Sequence, residues 1–104
     1  MRLPGHLKRS TRQWIHGLMA EYELEDHHLR LLILAAESWD RCCQAREMIE
    51  AEGLTVADRF GQLRPHPAVA IERDSRIAFA RMLRETGLEV EGSQPPRAPR
   101  IGGR

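Results

Sequence analysis

A chain of 104 residues, 30% charged and only 5% aromatic, has room for one domain, whose core must come mainly from Leu, Ile, Ala and Met. Its formal net charge of +1 hides a segregation: Arg2, Lys8, Arg9 and Arg12 all precede the first acid, whereas Glu21, Glu23, Glu25 and Asp26 crowd together just after it. No apolar run approaches the roughly 20 residues of a membrane span and no signal-peptide centre is present, and the adjacent Cys42 and Cys43 would diverge by about 100° on a helix, which speaks against a disulfide framework and for a reduced, cytoplasmic setting.

Residues 1–9 hold Pro4, Gly5 and several cations without apolar periodicity, and read as a basic N-terminal arm. Ser10 followed by Gln13 has the spacing of a capping box. A first helix is expected there, with Trp14, Ile15, Leu18, Met19 and Tyr22 along one face. After a joint at residues 22–25, a long helix runs from Glu25 to Gly53 without an internal Pro or Gly. It carries two apolar stripes: Leu29, Leu32, Ala36, Trp39 and Cys43 on one, and Leu31, Ala35, Cys42, Ala45 and Ile49 on the other. A surface helix needs only one. The second stripe predicts contact between copies of the chain, with Leu31, Leu32, Ala35, Ala36, Trp39 and Cys42 as the expected oligomer interface. His27 and His28 diverge on the helix and have no ligand partner at the spacing of a metal-binding helix, so they read as a solvated corner or a contact between subunits.

After Gly53, residues 54–57 and 62–64 flank a turn at 58–61 and predict a small β-hairpin or a loop that imitates one. A lone hairpin is marginal in water, so it is expected to lie on the helices or on a neighbour. Pro65 and Pro67 bracket His66, which reads as a cap or turn contact, and Pro67 suits a first helical turn. The last helix is expected over Ala68–Thr86, closed by Gly87, with Ala68, Ile71, Ser75, Ala78, Phe79 and Met82 inward. An antiparallel hairpin with the long helix is the simplest packing. Residues 10–88 would form one helical oligomerisation domain, and residues 89–104, with three Pro and three Gly, a flexible tail. No phosphate loop, CxxC pair, HExxH or Ser, His and Asp constellation can be read, so an enzyme and a cofactor are not expected.

The order of these features resembles the small terminase subunits of tailed double-stranded-DNA bacteriophages, in the siphophage and prophage branch. The resemblance covers about residues 10–88. It is carried by the Trp14 helix ending at Tyr22, Ala36, Trp39 and Asp40 on the long helix, EGLTV at residues 52–56, GQLRPHPA at 61–68 and LRETGL at 83–88. It implies a mainly α fold of three helices with a long antiparallel helical hairpin, assembling into a ring. It further implies a non-catalytic component of genome packaging in the host cytoplasm that binds double-stranded DNA and presents it to a large terminase subunit containing the ATPase and nuclease. Under that reading Arg2, Lys8, Arg9 and Arg12 are the expected DNA contacts, repeated around a rim by ring symmetry. A small helical dimeric regulator or antitoxin-like DNA binder is the alternative, with the first helix as its recognition helix. A third reading is a structural adaptor without nucleic acid.

Overall fold

The computed structural model describes residues 2–88; the expected tail at 89–104 lies outside the described residues. The chain is mainly helical: α1 (Arg9–Glu21), α2 (Asp26–Glu52), β1 (Thr55–Ala57), β2 (Leu63–Pro65) and α3 (Pro67–Thr86) follow in order. The 27 residues of α2 rise about 40 Å, and the molecule around it is thin, with extents of 54 × 44 × 20 Å.

α2 and α3 form the expected antiparallel helical hairpin. Four side-chain contacts fix its register: Glu52 with His66 at 2.7 Å, Arg46 with Glu72 at 3.1 Å, Cys42 Sγ to Glu72 Oε2 at 3.6 Å, and Trp39 with Phe79, ring centroids 5.2 Å apart. On α3 the seam residues Ala68, Glu72, Ser75, Phe79, Met82 and Thr86 recur at alternating spacings of four and three, the spacing of knobs-into-holes packing. Glu72 takes the seam position next to Ala68, and Ile71, expected inward, is 43% exposed. The Glu72 carboxyl is held below its ordinary value, chiefly by the hydrogen bond from Arg76 and, against its partial burial, also by that from Arg46. Burial pushes the Cys42 thiol up, so this free cysteine stays a packed, protonated group.

The stripe of α2 that carries Ala36 is covered by the segment before α1 and by α1 itself. Leu3, Leu7 and Ile15 form one buried cluster with Ala36, and Trp14, Met19 and Ile33 pack against it. The residues expected to form a free arm are thus folded back. The turn at Pro4 and Gly5, closed by the Leu7 N–H on the Pro4 carbonyl, brings both leucines to one side, where the open groove of α2 hides them from water. This changes the reading of the expected oligomer interface. Leu32, Ala35, Ala36 and Cys42 are exposed by no more than 1% within one chain, so another subunit cannot reach them. Leu31 is half-buried and Trp39 is 40% exposed.

The hairpin between α2 and α3 forms, with Thr55 opposite Pro65, Val56 opposite Arg64 and Ala57 opposite Leu63. All six strand residues are exposed, so it does not lie on the helices of its own chain. Its turn is held by Asp58, whose Oδ1 accepts the N–H groups of Phe60 and Gln62 and whose Oδ2 meets Arg64 at 3.1 Å. These bonds, led by that from Gln62, lower the Asp58 pKa. At its base, His66 Nδ1 accepts the Ala68 N–H at 2.9 Å and caps α3. Gly53 leaves α2 at φ 91°, a backbone region that costs an L side chain energy.

Candidate nucleic-acid interface

The expected DNA contacts belong to the segment before α1 and its first turn, so what holds that turn decides what it can present. α1 begins at Arg9, one residue before the expected Ser10, and its N-cap Lys8 has no side-chain cap of its own. The cap comes from α2 instead. Asp40 Oδ2 accepts the Lys8 N–H at 2.8 Å and Asp40 Oδ1 accepts the Thr11 hydroxyl at 2.6 Å. Asp40 and Thr11 are both buried, so this carboxylate anchors the start of α1 by charge-assisted bonds in a site of low dielectric.

The four expected cations then divide. The Arg12 guanidinium donates through Nη1 to the carbonyls of Gly5 and Leu7, which makes it a brace for the folded-back segment. Lys8 Nζ lies 3.5 Å from Glu47 Oε2 in an exposed pair, a contact weak enough to exchange for a phosphate. Arg2 and Arg9 are exposed, and among the described residues neither has an acidic partner. Of the four, Arg2 and Arg9 are thus without an acidic partner while Lys8 and Arg12 are engaged, along the segment that Asp40 ties to α2.

Two further residues join this corner that their positions in the chain do not advertise. A polar cleft of about 340 Å³ between the N-terminal segment and α2 is lined by His6, Leu7, Glu37, Asp40, Arg41 and Gln44. In it His6 Nε2 pairs with Glu37 Oε2 at 2.8 Å, and Arg41 adds an exposed guanidinium. The available signal was helical spacing: Arg41 follows Glu37 by one turn and adjoins Asp40, on the side of α2 away from α3.

His27 and His28, at the opposite end of α2, stack on each other at 4.1 Å. His28 Nδ1 accepts the Glu25 N–H and so closes a capping box with Glu25. Among the described residues no three His, Cys, Asp or Glu side chains converge as a metal site, and no helix is long and apolar enough to cross a membrane.

A helical hairpin braced by a short third helix, with a corner of basic side chains and an exposed apolar loop, is the build of a small interaction module. A family model described as phage terminase, small subunit, matches residues 12–94, and the chain belongs to that family. Its general role is therefore in phage DNA packaging. Neither the curated proteins nor the solved structures contain a significant match.

Proposed function

We propose that the protein is the non-catalytic DNA-holding component of a packaging motor in the host cytoplasm, binding viral double-stranded DNA at the α1 corner and presenting it to the large terminase subunit. The observation that carries this is the pair of exposed guanidinium groups, Arg2 and Arg9, on a corner made rigid by Asp40 and Arg12. Phosphate binding by such groups is electrostatic and releases counterions, so it weakens as salt rises. Lys8 and Arg41 add to the same surface once the duplex competes with Glu47.

The working form in this reading is a ring. Exposed apolar side chains on the α2–α3 hairpin support it, because Leu34 and Ile77 are each 50% exposed and Ile71 is 43% exposed. Covering such side chains is the ordinary work of a subunit contact.

Replacing Arg2 and Arg9 together by Ala tests the DNA site. The slope of log affinity against log salt should become shallower by about two, with native mass unchanged. An unaltered slope would remove the α1 corner from DNA binding, and a native mass of two chains would favour the dimeric regulator.

A further inference from the structure

An apolar cleft of about 420 Å³ lies where α1 crosses the helical hairpin, lined by Ser10, Thr11, Trp14, Trp39 and Phe79. The proposed DNA contacts do not line it. Phe79 stands between the two indoles, with ring centroids 5.9 Å from Trp14 and 5.2 Å from Trp39 and ring planes inclined by 49° and 51°. The walls are therefore flat aromatic faces set at angles. Trp39 is 40% exposed. Tilted aromatic walls suit a polyproline II segment, whose pyrrolidine rings pack on aromatic faces.

The chain contains one segment of that chemistry. Residues 93–100 read SQPPRAPR, and the arginines at 97 and 100 can lie over indole faces as cations. The lengths also agree. Leu88, the last described residue, follows Phe79 by about 13 Å of helical rise. The six residues before Pro95 span up to about 20 Å when extended, enough to turn back along α3 to the cleft.

We propose that the Trp14, Trp39 and Phe79 cleft is a docking site for the chain's own proline-rich segment at residues 93–100. The competing occupant is the hairpin tip of a second copy, where Phe60 is 76% exposed. The tail is favoured because its prolines suit several tilted aromatic faces at once and because it is tethered within reach.

The chain has only two tryptophans and both line this cleft, so intrinsic fluorescence reads its occupancy directly. In the full-length protein, replacing Pro95, Pro96 and Pro99 together by Ala should red-shift the emission and raise the acrylamide quenching constant, and an excess of a peptide spanning residues 93–100 should reverse both. The described fold is untouched by these substitutions, so misfolding does not confuse the result. Unchanged emission and quenching in the triple variant would overturn the proposal. So would a rise in quenching produced by Phe60→Ser but not by the proline substitutions, which would give the cleft to a second copy.

Discussion

The hydroxyl of Thr11 and the carboxylate of Asp40, 2.6 Å apart and both buried, join the first turn of α1 to the middle of α2 across 29 positions of sequence. The same carboxylate accepts the Lys8 N–H, so Asp40→Ala strands two donors at once. A buried donor without a partner costs about 1–3 kcal/mol. The variant should lose about 2 kcal/mol, which in a domain of this size lowers the melting temperature by roughly 10 °C. Hydrogen exchange should show the loss first in α1, and combining Asp40→Ala with Thr11→Val should cost less than the sum of the two. Unchanged protection of α1 would show that Asp40 is not its anchor.

His66 carries a similar duty for α3. Its Nδ1 accepts the Ala68 N–H, and its Nε2 side meets Glu52 at 2.7 Å, a pairing that fixes the tautomer with hydrogen on Nε2. His66→Ala should destabilise the chain by about 1 kcal/mol through the lost cap, read as a lower urea midpoint at constant slope. His66→Asn, which keeps an acceptor at the cap, should recover part of that loss. Equal midpoints for the wild type and the Ala variant would show the cap to be idle.

The depressed pKa values of Glu72 and Asp58 set the sign of an acid effect. A carboxylate held below its ordinary value in the folded chain stabilises that chain fully above the unfolded pKa, and the stabilisation disappears as pH falls through the folded one. Stability should therefore decline on acidification below the ordinary carboxylate range. Glu72→Gln should flatten that decline, by denaturant titration at a series of pH values, and an identical pH profile would contradict the assignment.

Burial separates two groups of apolar residues on α2 and α3 that differ in their consequences. Ala36 is fully buried against Leu3, Leu7 and Ile15, so Ala36→Glu forces a charge into that cluster and should detach α1 or unfold the chain. Leu34 and Ile77 are each half exposed. Leu34→Asp with Ile77→Asp should leave helicity intact, with melting little changed once assembly is allowed for, and should reduce the native mass. Assembly of unchanged size in the double variant would place the subunit contact elsewhere.

Local chemistry made the helices legible. Uninterrupted helix formers and Gly53 bound α2, Pro67 and Gly87 bound α3, and the glycine turn between short β-branched runs placed the hairpin, all within a residue or two of where they lie. The parts that sequence periodicity missed depend on distant partners. Leu3 and Leu7 are two apolar residues in a short segment with no period of its own, and only the groove beside Ala36 makes them core. Asp40 looks like any acid on a long helix until α1 is laid beside it. The serine and glutamine at residues 10 and 13 have the spacing of a cap, but the stronger acceptor comes from another helix. The two stripes of α2 read as a surplus left for contact between copies, yet α3 on one side and α1 with its leading segment on the other bury Leu32, Ala35, Ala36, Cys42 and Ala45 within one chain. The candidate site followed the same rule: the cations were visible in the sequence, but which of them are free was not.

The Leu3, Leu7 and Ile15 cluster also bears on the order of events during synthesis. These residues are translated before their buried partner on the long helix, Ala36, which follows Ile15 by some twenty residues. The α2–α3 hairpin, closed by a short loop, forms from contacts nearer in sequence and is the faster element to assemble. Leu3 and Leu7 therefore have no α2 surface to cover them until that helix is made. In a cell filling with identical chains, that interval is when one nascent copy is most open to capturing another.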